Sequence, residues 1–253
     1  NTHILNASQR VDLVTSELQE AIMNTRMQPI GIVFQKFQRL VHDLARDLEK
    51  EIDLVIEGKE VELDKTIIEA IGDPMTHLVR NAVDHGIEDP DTRMSKGKKI
   101  PAMLKLSAYH EAGQVIIEVA DDGKGIDPDK IRDKALEKEL HSQQELADMS
   151  DEEVIKLIFT PGFSMAKKVT DVSGRGVGMD VVHSNLTKLG GTIDIDSKVD
   201  AGTTIQVKLP LTLAIIPSLI TAVAHERFVI PQVNLVELVR IPPQDVDERI
   251  EMI

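Results

Sequence analysis

The chain has 253 residues, 42% of them hydrophobic, with a net charge of −14 at neutral pH, no cysteine, no tryptophan and one tyrosine. Disulfides and thiolate chemistry are thereby excluded, and a nucleic-acid surface is disfavoured, since that needs surplus Lys and Arg and aromatic platforms for bases. No apolar run reaches the roughly 18 residues that span a bilayer, and no basic stretch with an apolar core marks a secretory signal, so membrane insertion is not expected.

Along the chain, apolar residues first recur at helical spacing at Ile4, Val11, Val14, Leu18 and Ala21, and again after Met27-Gln28-Pro29 at Ile30, Val33, Phe37, Leu40, Leu44 and Leu48. This predicts an antiparallel helical hairpin. Its stripes could be covered by a second hairpin in a four-helix bundle or by the chain's own remainder. Residues 53–57 (DLVIE) alternate like a strand, Asp64 can cap a helix over Lys65–Ile71, and Asp73-Pro74 opens a further helix. Strands are predicted at Met103–His110 and Gln114–Ala120, joined by Glu111-Ala112-Gly113. Helices follow at Lys130–Leu140, Asp151–Phe159 and Met179–Leu189, then strands at Thr192–Asp196 and Thr204–Leu209 around Gly202. Helices with mainly antiparallel strands make the fold class α+β, a sheet with helices on one face. Beyond Pro210, runs at Leu219–Ala224, Arg227–Ile230 and Val233–Val239 suggest the opening of a small β-domain, too short to close alone.

Three segments carry chemistry. In DPMTHLVRNAVDHG, His77, Asn81, Asp84 and His85 share a helix face while Met75, Leu78, Val79 and Ala82 form the buried one. An Asn carbonyl suits Mg²⁺, which prefers oxygen. Asp121-Asp122-Gly123-Lys124-Gly125 follows a strand, where a carboxylate can accept from an exocyclic amine; tight turns also produce this pattern, and it lacks the oxygen ligands of a calcium loop. Ser173-Gly174-Arg175-Gly176-Val177-Gly178-Met179 places alternate glycines before a helix, an anion cradle; it fits neither the dinucleotide fingerprint nor a P-loop. Phe159 and Phe163 bracket Thr160-Pro161-Gly162, a candidate hinge for a lid.

In their order, HLVRNAVDHGIE, DDGKGID, FTPGFS, SGRGVGMDVV and GTTIQVKLP resemble the ATP-binding boxes of histidine kinases, and more narrowly the chemotaxis kinase family CheA. That family shares with DNA gyrase, a heat-shock chaperone and MutL a left-handed, GHKL-type (Bergerat) α/β sandwich with a flexible lid. The resemblance implies a dimerisation hairpin in residues 1–57, including TRMQPI, a catalytic domain in 58–210, and the start of an SH3-like regulatory domain in 211–253. It implies ATP and Mg²⁺ as cofactors, with Asn81 on the metal, His77 beside it where related ATPases keep a catalytic Glu, and Arg80, Asp84 and His85 facing the nucleotide. Asp121 would bind the adenine amine, Gly123 and Gly125 would give it room, Lys130 would reach a phosphate, Gly174, Gly176 and Gly178 would hold the triphosphate, and Thr203 would complete the adenine site. The implied partners are a second copy, a histidine phosphotransfer domain, a coupling protein and chemoreceptors through 211–253, and response regulators indirectly. The implied location is cytoplasmic, at membrane receptor arrays. His42-Asp43 imitates a phospho-acceptor start, but Asp47 stands where the acceptor motif has Pro, and His42 is read as a surface residue. An ATP hydrolase and a non-catalytic ATP-sensing scaffold remain the alternatives, the missing Glu counting against the first.

Overall fold

The computed structural model describes residues 25–163, 178–211, 218–223, 226–231 and 235, with scattered positions between 10 and 22. It divides into two units, Asn1–Leu213 and Ala214–Ile253. The first is built on a five-stranded sheet in the order β2-β4-β5-β7-β6, with β2 at Ile52–Glu57, β4 at Ala102–Glu111, β5 at Gln114–Asp121, β6 at Thr192–Lys198 and β7 at Gly202–Pro210. Only β2 and β4 are parallel; the other neighbours are antiparallel.

The period of two in a strand separates the faces of this sheet. Leu106, Val119, Ile205 and Ile195 stand opposite one another across four strands, as do Ala108, Ile117, Val207 and Ile193, and all are buried. Against this face pack α1 (Gly31–Asp47), α2 (Lys65–Asn81) and α7 (Met179–Lys188), in one continuous core. The other face is solvated and laced by polar pairs: Lys105 with Glu57 at 2.8 Å, Gln206 with Glu118 at 3.1 Å, Lys208 with Asp194 at 2.9 Å. The two-layer α+β sandwich expected from the sequence is thus observed.

Three differences have physical causes. The expected domain boundary at residue 57 does not divide the fold. Ile30, Val33, Phe34, Phe37 and Val41 of α1 and the turn before it enter the same core as Leu104 and Leu106, and β2 is an edge strand of the sheet. The first half of the apolar stripe read as part of a hairpin, Ile30, Val33 and Phe37, is therefore satisfied within the chain, while Leu40 and Leu44 are partly buried and Leu48 is exposed. Met27–Pro29, expected as the hairpin turn, is a short strand, β1, antiparallel to β3 (Glu62–Asp64). The first helix of the expected hairpin falls largely outside the described residues; its described positions are helical, with Val11, Val14 and Leu18 exposed.

Second, α2 is one helix where two were expected. Asp64 caps it as foreseen, accepting from the Thr66 N–H at 2.7 Å, but Pro74 sits inside. Proline removes one donor from the ladder. Nearby, the Thr76 hydroxyl donates to the Gly72 carbonyl at 2.7 Å. Ile67, Ile68 and Ile71 before the proline and Met75, Leu78 and Val79 after it continue one buried stripe, and burial of that stripe outweighs the local cost.

Third, two short helices were not foreseen: α3 (Pro90–Ser95), capped by Asp89, and α5 (Gln143–Asp148), opened by a capping box of Ser142 and Glu145. Helices α4 (Pro128–Glu137) and α6 (Asp151–Lys156), the latter continued by a 3₁₀ turn at Leu157–Phe159, match expectation closely. The second unit shows an antiparallel hairpin of β8 (Ser218–Val223) and β9 (Glu226–Pro231). The further run expected at Val233–Val239 lies, save for residue 235, outside the described residues.

Candidate functional site

Helix α2 carries the first half of the site. Burial of Met75, Leu78 and Val79 turns the intervening His77 and Asn81, one turn apart, toward the rim of the core. Past Asn81 the backbone widens into a π-turn, Ala82–Gly86, closed by the Ile87 N–H on the Ala82 carbonyl at 2.8 Å. Such widenings cluster at functional sites. The turn is pinned by a residue the sequence did not single out. The Lys50 ammonium donates to the carbonyls of Val83, Asp84 and Ile87, each at 2.8 Å. A cation on the last carbonyls of a helix satisfies both their lone pairs and the helix dipole. Burial pushes the Lys50 pKa down, opposed by the nearby Asp84 carboxylate.

Asp121 supplies the second half. It ends β5 in the same parity as Ile117 and Val119, and its register partners are Leu104 and Thr203, so its carboxylate enters the helix side of the sheet where an apolar side chain would be the rule. It is 9% exposed. Burial pushes its pKa up to about 6, with the Asp122 charge adding to the rise; N–H donation from Gly123, at 2.9 Å to Oδ1, and from the Thr203 backbone works against it. The two halves meet at Gly86, where a Cβ would lie 3.1 Å from Asp121 Oδ2.

Gly123 stands against the Asp121 carboxylate, where a Cβ would lie 2.7 Å from Oδ1, and both Gly123 and Gly125 also meet protein backbone. A Cβ on Gly123 would stand 2.2 Å from the Gly86 carbonyl oxygen, and one on Gly125 2.1 Å from that of Lys198, with Gly125 at φ +67°. The room these glycines give is taken by protein backbone, which locks the turn with Lys124 N–H on Gly86 O at 2.9 Å and Asp200 N–H on Lys124 O at 2.8 Å. Gly86 borders the carboxylate as well, and is visible in the sequence only as the residue that ends the helical pattern.

Helix α7 adds the third element. Gly178 is its N-cap residue, and Met179 accepts from the Asn81 amide, Nδ2 to Sδ at 3.1 Å, which leaves the amide oxygen as the donor atom for a ligand. The His77 pKa is held down, first by burial and then by the positive Arg80 and by His85, while Asp180 of α7 pulls the other way. At neutral pH His77 is therefore an uncharged imidazole. Arg80, Asp84 and His85 are exposed, with His85 Nε2 3.7 Å from Asp84 Oδ2. Thr203 shares a hydrogen bond with Ser197 at 2.8 Å, and Ser197 Oγ accepts the Ile126 N–H, so Thr203 is tied to the far end of the Asp121 turn. Lys130 lies on the outer face of α4, 81% exposed and paired with Asp127. Gly174 and Gly176 lie outside the described residues. His42 is exposed on α1, as expected.

The expected hinge joins two cores: Phe159 belongs to the main one, while Phe163 packs with Ala135, Leu146 and Leu157 beneath the Lys134 ammonium, 5.0 Å from the ring centre. Behind the Asp121 turn lies a buried charge cluster that the sequence did not reveal. Arg93, 1% exposed, donates to Glu88 Oε2 at 3.2 Å, to Asp122 Oδ2 at 2.8 Å and to the carbonyls of Asp122 and Lys99. Lys98 donates to Glu88 Oε1 at 2.7 Å and to the carbonyls of Gly123, at 2.6 Å, and Asp122. Burial works to raise the Glu88 pKa, but the Lys98 hydrogen bond and the two cations prevail and hold it low. These partners lie up to 29 positions apart, so no periodicity or motif announces them.

A two-layer sandwich with a desolvated carboxylate at a strand end, an amide oxygen on the facing helix and a helix N-terminus above defines a nucleotide-binding domain. The chain belongs to the family described as histidine kinase-, DNA gyrase B-, and HSP90-like ATPase, which matches residues 70–213. It is 51% identical over 236 residues to the sensor histidine kinase CheAY of Helicobacter pylori, covering 93% of this chain and 29% of the relative. It is 42% identical over 246 residues to the chemotaxis protein CheA of Listeria monocytogenes, covering 97% and 40%, and 49% identical over 228 residues to that of Klebsiella aerogenes, covering 90% and 34%. The resemblance to CheA read from the motifs thus holds over nearly the whole chain, and the chain spans about a third of the length of these relatives. Among the described residues, no helix is long and apolar enough to cross a membrane.

Proposed function

We propose that this chain is the ATP-binding core of a chemotaxis-type protein histidine kinase, which transfers the γ-phosphoryl group of ATP to a histidine on a separate phosphotransfer domain. The observation that carries this reading is the buried Asp121 carboxylate set against Gly86, the last residue of the π-turn that follows Asn81, whose amide nitrogen is held by Met179 and whose amide oxygen is left for a ligand. Asp121 would accept from the adenine amine. The N-terminal end of α7, opened by Gly178, would turn the positive end of its helix dipole to the phosphates, and Gly174 and Gly176 would extend that cradle. Arg80, His85 and Lys130 are the residues offered for further phosphate contact, Lys130 being exposed and paired with Asp127.

The residues fit a magnesium ion carried by the nucleotide. Mg²⁺ keeps several waters and takes one or two protein oxygens beside substrate phosphates, and the Asn81 amide oxygen is such a donor. The ion would neutralise charge on the β- and γ-phosphates. His77, uncharged and nitrogenous, is a poor direct ligand for a hard cation and would act through water. Phosphoryl transfer asks for positioning and charge neutralisation, and a neutral imidazole acceptor needs no strong base. His77 in place of the carboxylate that related ATPases keep fits transfer to an acceptor better than hydrolysis. Transfer moves the γ-phosphoryl from the β-bridging oxygen of ATP to the acceptor imidazole nitrogen, releasing ADP.

Dimerisation, expected of 1–57, would rest mainly on the segment before β1, because much of the apolar face of α1 is buried; Val11, Leu13, Val14, Leu18 and Ile22 are among its exposed apolar positions. The hairpin β8–β9 would open an SH3-like module for a coupling protein and receptors, response regulators being served indirectly. The reading is tested by mixing the chain, labelled ATP, Mg²⁺ and a histidine phosphotransfer domain. Base-stable, acid-labile label is expected on that domain and is abolished in Asn81→Asp; phosphate release without labelled acceptor would turn the reading to a hydrolase.

A further inference from the structure

We propose that Lys98 and Arg93 are positioning residues for base recognition: gripping the Asp121 turn from behind, they aim the Asp121 carboxylate at the purine. The inference rests on the adenine role proposed for Asp121. The turn Asp122-Gly123-Lys124-Gly125 contains two glycines, and glycine backbone left to itself samples many conformations. Yet the direction of the carboxylate depends on that turn, since Oδ1 is held by the Gly123 N–H. A displacement of about 1 Å in a recognition group removes most of its advantage.

The structure meets this need with charge. The carbonyl of Asp122 accepts from both Arg93 and Lys98, the carbonyl of Gly123 accepts from Lys98, and the Asp122 carboxylate is shared between Arg93 and the Met103 N–H at 3.1 Å. Glu88 sits between the two cations and fixes their spacing. The cations come from the segment that directly follows Gly86, the residue that walls the front of the carboxylate. One stretch of chain, 86–98, therefore holds the turn from both sides. Buried ion pairs are a weak source of stability, because desolvation offsets their attraction; directional hold is what a bidentate guanidinium and a three-donor ammonium supply.

A purely structural cluster and a positioning one differ in a measurable way. ADP and inosine diphosphate differ only at one edge of the purine, where a carbonyl replaces the 6-amine and N1 gains a hydrogen. With Mg²⁺ present, the unmodified chain is expected to prefer ADP. Lys98→Met is expected to reduce that preference about tenfold, the worth of one directed hydrogen bond, while changing the Kd for inosine diphosphate less than about twofold. Lys98→Arg, which keeps charge and donors, is expected to restore the preference. Arg93→Met should act in the same direction; should it fail to fold, Lys98 alone decides. Asp121→Asn is the reference. If it loses the preference while Lys98→Met keeps it, or if Lys98→Met weakens both nucleotides equally, the positioning role is overturned with the adenine reading intact. If Asp121→Asn keeps the preference, the adenine reading falls and the inference with it.

Discussion

Asp121 is held in a state that costs the fold and serves the site. A buried carboxylate with its pKa raised to about 6 from 3.8 binds its proton more tightly in the folded chain than in the unfolded one. Its favourable contribution is full below about pH 3.8 and is lost as pH rises through 6, so the ionised group opposes folding at pH 7. A shift of about two units bounds that cost at ~3 kcal/mol. Asp121→Asn is therefore expected to raise the urea midpoint of the ligand-free chain at pH 7.5, by an amount that shrinks to nothing near pH 4. Nucleotide binding has the opposite sign. If Asp121 accepts from the adenine amine as proposed, that contact needs the ionised acceptor, and affinity for ADP should fall as pH drops through 6, by about tenfold at pH 5. Calorimetric titration of the unmodified chain and of Asp121→Asn across that range checks both; a parallel pH profile in the two would remove Asp121 as the cause. This residue was legible in the sequence because D-x-G-x-G after a strand is a compact local pattern. Arg93, Lys98 and Glu88 were not, because their pairing is made in three dimensions between residues that are individually ordinary.

Among the elements, the π-turn after Asn81 is the one whose existence depends on a remote side chain. Lys50, from the loop after α1, closes three carbonyls that would otherwise lack partners. Lys50→Met keeps the apolar stem and removes the donors. It is expected to lower stability by about 2 kcal/mol, from the two part-buried carbonyls that lose their donor, and to weaken ADP binding more than Ser150→Ala, which removes a helix cap far from the turn for about 1 kcal/mol. Chemical denaturation and ADP titration of the two variants separate the effects; equal loss of binding would deny the π-turn its part in the site. The same contrast explains which elements the sequence disclosed. The capping boxes at Ser142 and Ser150 are short-range signals of the same kind, and a helix is expected from the sequence after the second but none after the first. The continuity of α2 through Pro74 was hidden because local rules end a helix there; only the shared burial of Ile71 and Met75 carries it on.

At the scale of the molecule, the decisive finding is where the nucleotide-binding unit begins. Helix α1 and strand β2 were expected to belong to a dimerisation hairpin ending at residue 57, because heptad-like spacing looks the same whether the stripe meets a partner chain or its own sheet. Ile30, Val33, Phe34, Phe37 and Val41 are each 3% exposed or less and lie in the core that supports Asn81 and Asp121. Burying a large aliphatic or aromatic side chain contributes ~1.5–3 kcal/mol, so these five together contribute on the order of 10 kcal/mol, comparable with the entire ~5–15 kcal/mol stability of a domain. Losing residues before 58 would also strip β2 from β4, leaving the edge of β4 and its apolar face open. A fragment of residues 58–211 is accordingly expected to be aggregated or unfolded, whereas one of residues 25–211, which retains the Arg26–Asp64 ion pair and the β1–β3 pairing, should melt cooperatively and bind ADP. Near-ultraviolet or amide spectra of the two fragments decide between them. A folded, ADP-binding 58–211 fragment would restore the boundary that the spacing of apolar residues had suggested and would detach α1 from the site.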